Sequence, residues 1–328
     1  MKYQFILGRH VKYSVVSQCR VLEVSRAGYY AWCKHEIPKR QRENWELLKR
    51  SRAIYKKYHG RYGSPRITRV LQAEGYPCSR NRVARLMHED GLAARPKRRF
   101  MVTTRSDHGK ASPNLLDRNF NISKPNEALT SDITYVETRQ GWLYVATVMD
   151  LCTRKIIGLS MRADLSQELV NHALRQAIIR ARPAPGTMIH SDRGVQYSSD
   201  SYRAILREHG LRQSMSRKGN CWDNAPMESF FKTMKVELVY EHKYETRSEA
   251  ARSIFEYIEV FYNRQRMHSA LNYLTPEAFE ASFNQSSNTA PLASSGQALS
   301  GLWELKTNTN PAFRFATCWA AGTPSLRD

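Results

Sequence analysis

LTSDITYVET (residues 129–138) and, after a short polar turn, WLYVATVMDL (residues 142–151) decide the fold. Both runs are rich in β-branched and aromatic residues, so they read as two strands. KIIGLSMR (155–162) reads as a third. SQELVNHALRQAIIRAR (166–182) has apolar residues at helical spacing, with Ser166 as candidate N-cap. TMIHSD (187–192) is a fourth strand, SSDSYRAILREHG (198–210) a helix and LRQSMS (211–216) a fifth strand. NAPMESFFKTMKVELVY (224–240), with Asn224 as candidate N-cap, and SEAARSIFEYIEVFYNRQRMHSALN (248–272) read as two more helices. The order β-β-β-α-β-α-β-α-α predicts an α/β fold, a mixed five-stranded sheet with flanking helices. Near-continuous apolar strands predict cover on both sheet faces.

Upstream the pattern is all-helical. SVVSQCRVLEV (14–24) and SRAGYYAWCKH (25–35), with Ser25 as N-cap, form a helix-turn-helix candidate. QRENWELLKRSRAIYKKYHG (41–60) is a longer basic helix, and SPRITRVLQAEG (64–75) and SRNRVARLMHEDGL (79–92) form a second pair, each opened by a serine. In the last, Val83, Leu86 and Met87 share one face while Arg80, Arg82 and Arg85 lie largely elsewhere, which suits a packed side and a phosphate-facing side. A plain bundle with a solvated charged face is the alternative. Four segments are therefore expected: a helical DNA-binding region at 1–93, a basic linker at 94–125, an α/β core at 126–283 and a weakly ordered Ser/Asn-rich tail at 284–328.

Charge follows the same division. The chain of 328 residues carries a net +21, and residues 1–127 hold 28 basic and 10 acidic side chains, a net +18. A basic half beside a near-neutral half points to a polyanion-binding module joined to something else, and ARPKRRF (94–100) places Lys97, Arg98 and Arg99 as phosphate contacts. Six scattered cysteines include no Cys-x-x-Cys pair, which argues against a structural zinc site. No apolar run of about 18 residues occurs, so no membrane span and a cytoplasmic protein are expected.

Three acids stand out. Asp132 lies inside the first strand among Leu129, Ile133 and Val136, where a carboxylate is costly unless it meets a cation or donors. Asp192 ends the fourth strand, HSDRGVQYSS (190–199), where ligands gather in α/β sheets. Taken alone it reads better as a turn residue. Glu228 borders the apolar face made by Met227, Phe231, Met234 and Leu238. Lys235 returns to its side of the helix and Lys232 lies about 40° away, so one carboxylate and two ammonium groups aim into one cleft. A weak exposed i,i+4 pair is the alternative. Three such acids suit two Mg²⁺ ions, which activate an attacking hydroxyl and stabilise a leaving oxygen at phosphorus, with Lys235 holding a phosphate beside them.

With 59 residues between Asp132 and Asp192 and 35 between Asp192 and Glu228, the chain resembles the DDE transposase and retroviral integrase superfamily. It is most similar to the second-reading-frame (OrfB type) transposases of the third insertion-sequence family. SDITYV, HSDRGVQYSS, SRKGNCWDNAPMESFFKTMKVEL and YNRQRMHSALNYLTPEAF carry the resemblance, with CRVLEVSRAGYYAW and YGSPRITRVL in the helical region. It implies an RNase H-like core with Asp132, Asp192 and Glu228 as metal ligands for two Mg²⁺ ions, Mn²⁺ serving as a substitute. It implies cleavage at element ends and attack by the freed 3′-OH. Its implied partners are terminal and target DNA and further copies of the chain on that DNA, in the bacterial cytosol and nucleoid. Action alone or with an upstream-frame (OrfA) partner or fusion stays open. The rivals are an RNase H-type nuclease and a DNA-binding regulator without catalysis. The 35-residue spacing and the N-terminal helices speak against the first, the intact triad against the second.

Lesser candidates are His190, set against a histidine satisfied by backbone, and Gly194, expected to supply an unusual φ. Arg193, Gln196 and Tyr197 are placed along the DNA channel, with Tyr197 alternatively in the core. Asn220, Trp222 and Asn224 form a DNA-contacting loop before the Glu228 helix. Tyr262, Arg264, Arg266 and His268 read as a backbone grip or a cation-rich helix end.

Overall fold

The structure is a computed structural model that describes residues 2–34, 38–94, 112–217 and 220–288. Lys97, Arg98, Arg99 and the segment 289–328 lie outside the described residues.

Six helices come first: α1 (Lys2–Arg9), α2 (Val15–Val21), α3 (Arg26–Lys34), α4 (Lys39–Lys57), α5 (Ser64–Ala73) and α6 (Arg80–Glu89). Ser25 and Ser79 cap α3 and α6 as expected, accepting from Gly28 N at 3.1 Å and Arg82 N at 3.3 Å. α1 was not expected, because the scattered charges of the first ten residues hide its short apolar side. Its Ile6 packs with Cys19 and Tyr29 in a small core of its own.

Strands β1 (Ala128–Thr138), β2 (Gly141–Asp150), β3 (Ile156–Arg162), β4 (Met188–Ser191) and β5 (Arg212–Met215) form one mixed sheet in the order β3-β2-β1-β4-β5. β1 pairs antiparallel with β2 and parallel with β4. Helix α7 (Gln167–Ala181) joins β3 to β4 and α8 (Asp200–Glu208) joins β4 to β5. Then come α9 (Ala225–Glu237), α10 (Arg247–Glu256) and α11 (Pro276–Asn288). Alternate residues of β2 explain its unbroken apolar run. Leu143, Val145 and Met149 face α9 and α10, while Ala146 and Val148 face α7 and α8.

The α9 face holds more than sheet and helix. Leu47, Ile54, Ile67, Leu71, Val83 and Leu86 of α4–α6 belong to the same core as β2, α9 and α10. Tyr62 Oη donates to Gln265 O at 2.9 Å and Arg66 Nε to Met267 O at 2.9 Å. The apolar stripes of α4–α6 therefore close on the core that carries the acids as well as on one another.

Two local readings change. The expected helix over 248–272 is α-helical only to Glu256 and then widens into a π turn at Tyr257–Tyr262. The turn brings Asn263 to the start of β3, where its side chain accepts from Ile156 N at 2.9 Å and donates to Ile156 O at 3.0 Å. α11 is an addition, opened by Pro276 at a position that needs no N–H donor. Among the described residues no helix is long and apolar enough to cross a membrane.

Gly158 sets how closely α7 approaches β3. A Cβ there lies 2.2 Å from Ala173 O and 3.0 Å from the Ala177 Cβ. Gly158→Ala is therefore expected to destabilise the protein by about 1–3 kcal/mol, the usual range for overpacking, read as a lowered thermal midpoint. A midpoint equal to that of the unmodified protein would show that α7 can withdraw freely.

Candidate active site

β1 and β4 run side by side with a constant offset, Ala128 opposite Met188, Leu129 opposite Ile189 and Thr130 opposite His190. The pairing ends there, and two residues further along each chain come Asp132 and Asp192, the latter just after β4 has ended, close enough for the Asp192 charge to act on Asp132. Each carboxylate is steadied by one backbone N–H. Asp132 Oδ1 accepts from Ile133 N at 2.8 Å, and Asp192 Oδ1 from Gly194 N at 3.0 Å. The second bond is an Asx turn, so Asp192 both makes the turn and presents a carboxylate. The second oxygen of each aspartate has no hydrogen bond among the described residues.

Gly194 departs from expectation. Its φ is not among the positive ones. Space requires it instead, since a Cβ falls 3.0 Å from Asp192 Oδ1 and 3.2 Å from Gln196 Oε1.

Burial pushes the Asp132 carboxyl well above the usual carboxylate range, and the charges of Asp192 and Glu228 push it further, against the Ile133 N–H and Lys235. Burial raises Asp192 against the Gly194 N–H. Glu228, exposed in the first turn of α9, is also raised by nearby protein. Among the described residues, no three carboxylate, imidazole or thiolate groups close to a metal-binding distance. The two aspartates make the platform, and Glu228 acts on Asp132 through space from α9. The donor chemistry fits a hard divalent cation. All three groups are carboxylates, both aspartates keep an open oxygen, and burial leaves their charge short of compensation.

Of the two lysines expected in one cleft, Lys235 reaches it. It is 7% exposed, its Nζ lies 5.0 Å over the Tyr135 ring, and Asp132 partly offsets the lowering of its pKa by burial. Lys232 is exposed. His190 is buried between β5 hydroxyls, Nδ1 at 2.8 Å from Ser214 Oγ and Nε2 at 3.1 Å from Ser216 Oγ, and burial lowers its pKa to about 4. Its partners are these side chains together with the Asp223 backbone, and it stays neutral at pH 7. Tyr197 is core, its hydroxyl 3.1 Å from Ser131 Oγ. Arg193 donates to Ser216 O at 2.7 Å, Gln196 is half-buried, and Asn220 has a buried Oδ1 with no hydrogen bond.

On α6, Arg80 is exposed, but Arg82 bonds Asn44 and pairs with Glu43 at 3.0 Å, and Arg85 pairs with Glu89 at 2.8 Å. Arg266, read as a backbone grip, is instead a buried partner of Glu237, and Tyr262 is core. Sequence reasoning also missed Asp223 and the link from Asn224 to Thr130. Asn224 occupies the N-cap position without capping, because its Oδ1 accepts from Thr130 Oγ1 at 2.6 Å. Ser166 likewise makes no side-chain cap bond. One signal for Asp223 stood in the sequence: an acid between Trp222 and Asn224, six residues after Arg217.

Residues 122–221 and 209–276 match integrase core domain families, and residues 42–100 match an HTH-like domain. The insertion element IS600 31 kDa protein of Shigella sonnei is 42% identical over 268 residues, 81% of this chain and 98% of that one. Transposase InsF for insertion sequence IS3A of Escherichia coli K12 is 41% identical over 283 residues, 85% of this chain and 98% of that one. The chain belongs to the IS3 family of insertion-sequence transposases. In this IS3-family transposase the HTH-like match falls on α4–α6, the long basic helix and the second pair, and leaves α2 and α3 outside. Solved structures similar to it include the catalytic core of BIV integrase, with 14% identity, a TM-score of 0.39 and coverage of 50% of this chain and 99% of that one. The HTLV-2 integrase catalytic core in complex with magnesium has 13% identity, a TM-score of 0.38 and coverage of 48% and 97%.

Proposed function

We propose that this transposase cuts DNA at the ends of its insertion sequence and joins the freed 3′-OH to target DNA. Asp132, Asp192 and Glu228 are read as the ligands of the Mg²⁺ ions this chemistry uses. The observation that carries the reading is the register of β1 and β4, which brings two half-buried carboxylates together, with Asp192 and Glu228 both felt by Asp132. Bound Mg²⁺ supplies Lewis-acid stabilisation of charge developing at phosphorus, with Mn²⁺ as a substitute.

The chain's own residues position the reactants. Gly194 sets no Cβ against the Asp192 carboxylate. Lys235, held on Tyr135 near Asp132, biases the cleft toward anions. The excess positive charge of residues 1–127 draws DNA through its phosphates, with exposed Arg80 a better contact than the engaged Arg82 and Arg85. DNA ends and target, further copies of the chain and an upstream-frame (OrfA) protein are its proposed partners.

The test is an end-labelled duplex carrying the element end, incubated with the protein, Mg²⁺ and a target plasmid, with the upstream-frame protein supplied. A nicked product ending in a 3′-OH, followed by a joined product, is expected. Cutting without joining would favour a nuclease. Tight end binding without cutting would favour a regulator.

A further inference from the structure

Nothing among the described residues holds the Glu228 side chain. It has no hydrogen bond or ion pair there, so its distance from Asp132 is set by where α9 begins. That start is tied down on two sides. Asp223 is fully buried and accepts five hydrogen bonds: from Asn114 Nδ2 at 3.0 Å, Arg118 Nε at 2.8 Å, and Arg217 N, Nε and Nη2 at 2.9, 3.0 and 3.0 Å. These partners come from the stretch before β1, which runs along β5 (Leu115 N donates to Ser214 Oγ at 2.9 Å), and from the residues just after β5, beside the β4 end that carries Asp192. Next to Asp223, buried Asn224 takes the Thr130 hydroxyl at 2.6 Å, and Thr130 stands two residues before Asp132 on β1.

We propose that Asp223 is a positioning residue: together with the Asn224–Thr130 bond it fixes the first turn of α9 against β1 and so sets Glu228 over the Asp132–Asp192 pair. A solubility role does not explain a carboxylate with no exposure and five donors. A fold-wide role does not either, because Arg118 and Arg217 are 44% and 47% exposed and need no buried counter-ion. The bonds converge on one turn, which leads straight into the helix that carries Glu228. The inference rests on the reading of the three acids as metal ligands.

Mn²⁺ binding to the full chain, followed by electron paramagnetic resonance, tests it without needing turnover. Four proteins are compared: unmodified, Glu228→Gln, Asp223→Asn, and the double variant, with thermal melts alongside. Loss of a residue that orients a ligand typically weakens metal binding about 10–100-fold. Asp223→Asn is expected to fall in that range and to melt lower while staying folded at the assay temperature, because an amide nitrogen replaces an oxygen that accepts from two or three donors. In the Glu228→Gln background it is expected to add nothing, because its effect passes through Glu228. Unchanged Mn²⁺ affinity in Asp223→Asn overturns the role, and so do losses that multiply in the double variant. If Glu228→Gln itself binds Mn²⁺ as well as the unmodified protein, the triad reading fails and takes this role with it. Should Asp223→Asn lose its melt, Thr130→Val cuts the other tie to α9 and enters the same cycle, with the same outcomes deciding.

Discussion

Asp192→Asn is expected to abolish end cleavage and to leave the fold standing. Asparagine keeps the shape of the side chain and its Oδ1, so the Gly194 N–H keeps its acceptor and the turn survives. What disappears is the negative charge beside Asp132. If that charge holds a divalent ion over the scissile phosphate, several kcal/mol of transition-state stabilisation go with it, which amounts to about 10³-fold or more in rate. Asp132→Asn gives the same result, because the register makes the two positions equivalent halves of one platform. The thermal midpoint separates this outcome from damage. Two half-buried carboxylates set side by side repel, and Asp132 carries the larger burden. Neutralising either one keeps or raises the stability of the metal-free protein. Retained end binding, a midpoint at or above that of the parent, and lost cleavage are expected together. Cleavage by Asp192→Asn at the parental rate would remove Asp192 from the chemistry.

Glu237→Gln is expected to produce a large loss of stability. Glu237 and Arg266 are 9% and 7% exposed, joined by contacts of 2.8, 2.9 and 3.2 Å, and Tyr257 Oη donates to the same carboxylate at 2.8 Å. Removing one charge strands the other in the interior, which costs about 3–5 kcal/mol. In a domain of this size the midpoint then falls by about ten degrees or more. The pH dependence has a definite sign. Burial raises the Glu237 carboxyl, but the Arg266 charge and hydrogen bond outweigh it and leave the pKa below its ordinary value. Its contribution is therefore complete above about pH 4.3, the ordinary glutamate value, and is lost as the pH falls through the depressed folded value. Parent and variant melts should converge in acid. A difference under about 1 kcal/mol at pH 7 would mean that water reaches Arg266 and that the pair behaves as a surface ion pair.

What was legible in the sequence depended on how local its cause was. β1 and β2 follow from side-chain type and alternation within ten residues, and Ser25 and Ser79 cap their helices within three. The three acids stood out through their spacing, Asp132 inside a strand, Asp192 just after one and Glu228 at the border of a helix's apolar face. Arg266 shows the opposite case. In a run with Arg264 and His268 it reads as solvated, and only the packing of the π turn on α9 brings Glu237, 29 residues earlier, to its guanidinium. Asn224 looked like a helix cap because its neighbours fit one, but Thr130, 94 residues away, competes for the same oxygen. Arg82 turned inward for the same kind of reason, since Glu43 and Asn44 of α4 lie against α6. Lys235 joined the acids because α9 crosses β1, whereas Lys232, only three residues earlier, stayed in solvent.

The central claim is that the carboxylates place a divalent ion on the scissile phosphate. The most direct measurement replaces a non-bridging oxygen of that phosphate with sulfur and compares cleavage in Mg²⁺ and Mn²⁺. Mg²⁺ prefers oxygen ligands, and Mn²⁺ accepts sulfur more readily. One sulfur diastereomer is expected to be cut poorly in Mg²⁺, to recover in Mn²⁺, and to fail to recover when Asp132 is replaced by Asn. Equal cleavage of the oxygen substrate and both sulfur diastereomers in Mg²⁺ would contradict the claim.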